Sequence, residues 1–193
     1  MAIGEPTVAN VKNAGKEFDN SDEPTEWILT QLFHRYPRNY IDYEVQIKVQ
    51  LLNQLYYTNI RATKQVAQHI IGLGIDSALH AGLPEVVDQI AKVKIGEKER
   101  CHFSFASKYC SWHKPTAYPI YDKYAVACLS FYRDKFAPSA VPKLRDYRNY
   151  LSVVTAFRGY FELQSFDFKQ LDYYLFSRGK EIDEVRSLKL QSD

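Results

Sequence analysis

The stretch "NYIDYEVQIKVQLLNQLYY", residues 39–57, repeats apolar side chains at helical spacing, with Val45, Val49, Leu52 and Tyr56 along one stripe. A helix with one such stripe has to bury it against another element, which commits the chain to helix-on-helix packing. The β-branched residues lower its helix propensity, yet the period still favours helix. Other segments repeat the pattern. "SDEPTEWILTQLFHRY" predicts a helix capped by Ser21 or Asp22 and entered through Pro24, with Trp27, Ile28, Leu32 and Phe33 on its inner face. "RATKQVAQHIIGLG" ends on a glycine suited to a C-cap, and "LPEVVDQIAKV" opens on a proline. "KERCHFSFASKYCSWH" reads as helix up to Lys114, because the residue before Pro115 is pushed out of the α region. "DKYAVACLSFYRDKF" follows from an Asp122 cap, then a loop around Pro138 and Pro142, and "LRDYRNYLSVVTAFRGYFEL" and "DFKQLDYYLFSRGKEI" close the chain as helices. No alternating strand pattern or repeat stands out, so the expectation is an all-α fold of eight or so helices. Residues 1–20 are polar and read as a loosely held tail, leaving 21–193 as the helical domain.

At 193 residues and 46% hydrophobic, the chain suits one large domain or two small lobes and needs no disulfide or metal to hold a core. Its net charge of +2 does not demand a nucleic-acid partner, but the charge is uneven. Residues 1–30 carry six acids against two lysines, whereas residues 92–148 carry twelve Lys and Arg against five Asp and Glu. The three cysteines include no Cys-x-x-Cys pair, which indicates reduced thiols rather than a disulfide framework or a zinc site. Without a signal-like N-terminus or a long apolar run, a soluble cytoplasmic protein with no membrane segment is expected.

The basic stretch contains "SFASKYCSWHKPTAYPIYDKY", residues 104–124, with Lys108 and Asp122 at its ends. A lysine acts as a nucleophile only when neutral, and burial or neighbouring positive charge favours that form. A carboxylate beside it would move protons or stabilise a cationic transition state. A helix end followed by a reversing loop would bring the two together. The plainer reading makes Lys108 a solvated helix lysine and Asp122 only the cap of its own helix.

"KPTAYPIYDKY" resembles the proline-containing connection before the catalytic aspartate in the helix-hairpin-helix superfamily of DNA glycosylases, especially its 8-oxoguanine glycosylase-like members. In that family a lysine on the second hairpin helix stands upstream of the aspartate, and "FSFASKYC" puts Lys108 there. "VQLLNQLYYTNIRATKQV" resembles the early helix and turn whose Asn or Gln wedges into the DNA stack, which points to Asn53 or Gln54. "LDYYLFSRGK" resembles the late helix. The sequence departs from the family in three respects. "ERCHFSFASK" lacks the glycine turn that binds a DNA phosphate, the interval from lysine to aspartate is short, and the C-terminal four-cysteine cluster is absent.

The resemblance implies a two-lobed, all-α glycosylase fold whose lobes share a cleft, acting on double-stranded DNA that contains a damaged base such as 8-oxoguanine. The base would be flipped out and stacked on rings. Trp112 and Tyr121 are the candidates for that stacking, with Tyr118 and Phe103 behind them. Lys108 would attack the sugar and leave a Schiff base that permits strand cleavage, Asp122 would stabilise the charge developing on the sugar, and no cofactor is implied. If Lys108 cannot reach, the aspartate would activate water instead. Two other classes stay open: a non-catalytic nucleic-acid- or protein-binding module on the same fold, and an enzyme acting on a small nucleoside or another carbonyl compound. Cys110 and His113 lack the second pair a metal site needs, Ser104 and Ser107 lack a hydrolase context, and Gly72 and Gly74 fit a C-cap better than a dinucleotide loop.

Overall fold

A computed structural model of the chain describes residues 3–137 and 143–190, with the backbone alone for 19–23, 189 and 190. Among the described residues the fold is mostly helical. Its elements are α1 (Val8–Arg35), α2 (Asp42–Leu55), α3 (Thr63–Leu73), α4 (Asp76–Ala81), α5 (Glu85–Ala91), β1 (Lys92–Ile95), β2 (Lys98–Cys101), α6 (Phe103–His113), α7 (Lys123–Phe136), α8 (Tyr147–Tyr160) and α9 (Phe168–Leu190). The expected loop at Pro138 and Pro142 lies outside the described residues. No described helix is long and apolar enough to cross a membrane.

Contacts divide the chain into two compact units, one of residues 1–21 and 120–193, the other of residues 22–119. The boundary falls within α1, so that helix contributes its first half to one unit and its second half to the other.

In the first unit α7 lies along α9, with α8 against α7. The approach of α7 to α9 depends on Gly179: a Cβ built there would lie 1.9 Å from the Tyr124 carbonyl oxygen. Gly179→Ala is therefore expected to force the helices apart and destabilise this unit by about 1–3 kcal/mol. Thermal unfolding of the variant checks it, and an unchanged midpoint would contradict the packing. The opening half of α1 belongs to this unit as well. It starts at Val8 rather than at Ser21, because Thr7 caps it by accepting the Asn10 amide (3.2 Å) and because Val11 and Ala14 are buried. The expected tail is thus helical from Val8 onward. Ser21 and Asp22 fall inside α1, as does Pro24.

In the second unit the stripe on α2 is the core: Val45, Val49 and Leu52 are fully buried, and α2 packs on α3 and α6. Gly74 closes α3 in the left-handed region (φ 59°), as a C-cap glycine should. Two elements were not read from the sequence. The short helix α4 is one. The other is an antiparallel hairpin, Lys92 opposite Cys101 and Ile95 opposite Lys98, which replaces the helix expected at "KER" and cuts the α5 segment short at Ala91. Only Val93 of its first strand is buried, so four residues with one buried side chain carried too little alternation to register as a strand. Gly96, at φ 61°, makes the turn.

Candidate functional site

Helix α6 is buried along most of its length, Phe105 to Ser111 all lying under the surface. That explains its weak amphipathicity, since a helix enclosed on every side needs no polar face. Within it Lys108 is only 5% exposed. Its Nζ donates to Ser104 Oγ, one turn earlier, at 2.9 Å and lies 5.3 Å from the centre of the Tyr56 ring. Trp112, one turn later, donates its indole N–H to the Tyr56 hydroxyl at 3.1 Å. Lys108, Tyr56 and Trp112 therefore form one cluster, in which Tyr56, the C-cap of α2, supplies a ring face to the lysine and an oxygen to the indole. The amine is neither solvated nor on the surface, contrary to the plainer reading.

The turn after α2 uses Asn53. Its Oδ1 accepts from Thr58 Oγ1 and from the Ile60 amide, both at 2.8 Å, and its Nδ2 donates to the Ile60 carbonyl at 3.0 Å. These bonds hold a turn in which Tyr57 and Asn59 adopt positive φ. Gln54 is the one of the two wedge candidates that faces solvent, beside the 78% exposed Tyr57. Of the other rings, Tyr118 is fully buried with its hydroxyl donated to the Leu83 carbonyl (3.1 Å), and Phe103 is buried, so both are core.

Asp122 belongs to the other unit. It caps α7 as expected, Oδ1 accepting from the amides of Tyr124 (2.8 Å) and Ala125 (2.7 Å). Both bonds fall on the same oxygen. The approach to the cap is fixed by Tyr150, fully buried on α8, whose hydroxyl donates to the Ile120 carbonyl at 2.5 Å. Tyr121 packs edge-on against the Tyr150 ring at 5.1 Å. Burial, reinforced by the Asp172 and Asp122 carboxylates, holds the Tyr150 hydroxyl well above the ordinary tyrosine range, so it remains a donor.

A second ionisable cluster in the Lys108 unit escaped the sequence reading. Lys48, fully buried on α2, donates to the carbonyls of Tyr36 (3.0 Å) and Arg38 (2.7 Å) and to Asn39 Oδ1 (2.7 Å). Asn39 in turn donates to Asp76 (2.7 Å), and the Tyr109 hydroxyl donates to Asn39. His113 Nε2 lies 3.4 Å from Lys48 Nζ. Burial lowers the Lys48 amine to about 8, against the raising influence of Asp76 and Glu44. Burial, and then the Lys48 charge, holds His113 well below the usual histidine range. The available signal was Lys48 itself, a cation at the spacing of Val45, Val49 and Leu52. Cys110 is fully buried, which raises its thiol well above the ordinary range. Among the described residues no three His, Cys, Asp or Glu side chains group as metal ligands would.

Comparison with known proteins bears on the same region. The family model HI_0787_N, an N-terminal domain, matches residues 10–117. The match ends two residues short of the end of the second unit, so Asn53, Gln54, Lys108 and Trp112 fall within it, while Tyr121 and Asp122 fall beyond it. A Haemophilus influenzae protein described as "Uncharacterized protein" is 41% identical over an alignment of 137 residues that covers 69% of this chain. The chain spans about 65% of that relative's length. No solved structure matches. With more than half of its residues matched by one family model, the chain belongs to the HI_0787_N family.

Proposed function

We propose that this protein is a cytoplasmic DNA glycosylase with associated lyase activity, with Lys108 as the amine nucleophile and Asp122 as the carboxylate that assists it. The observation that carries the reading is the setting of Lys108: an amine 5% exposed, bonded to the Ser104 hydroxyl and set against the Tyr56 ring, on the helix that "FSFASKYC" forms. An exposed lysine would be strongly hydrated and a poor nucleophile. Asp122 supports the reading in a second way, since its cap bonds use a single carboxylate oxygen.

In this mechanism a damaged nucleotide leaves the duplex and its base stacks on Trp112 or Tyr121. Neutral Lys108 Nζ attacks the anomeric carbon as the bond to the base breaks, and the base departs with the electron pair. Asp122 stabilises the positive charge that builds on the sugar and takes the proton the amine sheds. The sugar's C1′–O4′ bond then breaks as the nitrogen lone pair forms the C=N bond of a Schiff base, O4′ takes the proton that Asp122 holds, and loss of a C2′ proton eliminates the 3′ phosphate. The mechanism requires Lys108 and Asp122, which belong to different units, to meet at one substrate.

The alternative is a nucleic-acid- or protein-binding module without chemistry. It is favoured by the β1–β2 hairpin, which occupies the stretch where the glycosylase resemblance calls for a glycine-turned helical hairpin. Incubation with duplexes that each carry one lesion, followed by gel analysis of base release and strand cleavage, separates the two. A glycosylase releases at least one damaged base and leaves the undamaged duplex intact. A binding module releases none.

A further inference from the structure

The β1–β2 hairpin adds little to the core and much to the surface. Val93 is its one buried strand residue, Ile95 is half-buried, and every residue of β2 is exposed. An isolated two-stranded ribbon is marginally stable in water, so this one depends on its anchorage. β1 lies against α3 and α5, Gly96 makes the turn, and the His102 amide closes the base by donating to the Ala91 carbonyl at 2.8 Å. The ribbon is thus fixed at its base and along one strand, while its other strand faces solvent.

Its charge sets it apart. Lys92, Lys94, Lys98 and Arg100 are all exposed, offset only by Glu97 at the turn and Glu99 on β2. Lys92 and Lys94 stand opposite Cys101 and Glu99, and Arg100 and Lys98 stand opposite Val93 and Ile95, so the pleat puts two cations on each face. Lys94 has Glu99 as its direct cross-strand neighbour. Even so, among the described residues none of the four cations forms a hydrogen bond or an ion pair through its side chain. Such a set of like charges repels itself, and an outside polyanion relieves that repulsion while releasing its own counterions. β2 continues through His102 into α6, the helix that carries Lys108. Lys108 lies about 8 Å along that helix from its first residue.

We infer that the hairpin is a phosphate-binding ribbon for double-stranded DNA, and that it holds the duplex beside the start of α6. A two-stranded ribbon is narrow enough for the major groove, and cations on both of its faces reach the phosphates that wall the groove. This role rests on the DNA partner of the proposed function and not on its Lys108 chemistry.

Fluorescence anisotropy of a labelled, undamaged duplex with the full chain, repeated between about 50 and 200 mM salt, tests this role. The parent protein is expected to bind with log K falling linearly in log salt. Lys94→Gln combined with Lys98→Gln removes one cation from each face, and should weaken binding by about tenfold and lower the salt slope by about 2. Glu99→Gln should tighten binding by about threefold, a change of sign that impaired folding does not produce. Lys12→Gln combined with Lys16→Gln removes the same charge from exposed positions on α1 in the other unit, and should change affinity by less than about twofold. Cys101 is exposed while Cys110 and Cys128 are buried, so maleimide labelling of the parent reports on the ribbon directly and should slow when duplex saturates the protein. Duplex binding with the slope unchanged in the Lys94 and Lys98 variant, an equal loss in the Lys12 and Lys16 variant, or Cys101 labelling at its free rate would overturn the hairpin's role and leave the DNA partner in place. The lysines would then serve only to keep the strand edges from pairing with other chains. No saturable duplex binding at the lowest salt would overturn both the hairpin's role and the DNA partner.

Discussion

Exchanging Lys48 for methionine is expected to destabilise the unit formed by residues 22–119 by about 3 kcal/mol at neutral pH. Methionine keeps most of the stem's volume and removes the donor. The Tyr36 and Arg38 carbonyls and Asn39 Oδ1 are then left without the cation that joins them. Asn39 also accepts from Tyr109 and donates to Asp76, so the loss spreads to α4 and α6. Urea denaturation of the two proteins measures the difference, and a change within experimental error would show that the network contributes nothing.

The same site gives a pH signature. The Lys48 amine titrates near 8 when folded and near 10.5 when unfolded, so between these values the unfolded chain binds the extra proton. Stability of the parent protein should therefore rise with pH across that window relative to Lys48→Met, by an amount on the order of 1–3 kcal/mol. His113 acts on the acid side. Its folded value is depressed from 6.5, so its contribution is complete above about 6.5 and is lost as pH falls below that point. In His113→Gln the acid limb of the stability curve should flatten.

Asp122→Asn is expected to reduce base release by about 10²- to 10³-fold while leaving stability nearly unchanged. Asparagine caps a helix as well as aspartate does, so the bonds to Tyr124 and Ala125 survive and only the charge is lost. Asp122→Ala should lose the activity and also about 1 kcal/mol of stability. The pair separates the capping role, which the geometry shows, from the catalytic role, which is proposed. Equal activity in the parent and Asp122→Asn proteins would leave Asp122 as a cap alone.

The parts of this fold that the sequence announces are those governed by local rules. Glycine at φ 59° closing α3, Asp122 capping α7 and the Val45, Val49, Leu52 stripe of α2 each follow from one residue type at one spacing. What it conceals depends on tertiary partners. The first half of α1 packs through Phe18 on the Tyr173 ring of α9, and the strands of the hairpin are too short and too exposed to show a period. The lysine and tryptophan of the candidate site were readable from "FSFASKYCSW". Tyr56, which joins them, comes from another helix and carries no mark of that role. Lys48 was visible as a cation within an apolar stripe, but its three acceptors lie on a loop whose course the sequence does not specify.

In the proposed function Lys108 is an amine nucleophile acting on damaged DNA. Borohydride reduction during turnover on a duplex carrying one 8-oxoguanine tests it most directly, beside an undamaged duplex and a Lys108→Gln variant of unchanged unfolding midpoint. The expected product is a covalent protein–DNA adduct that requires the lesion, is absent from Lys108→Gln, and maps to Lys108 after proteolysis. An adduct that persists in Lys108→Gln would contradict the assignment of the nucleophile. No adduct and no base release with any lesion duplex would contradict the glycosylase reading itself.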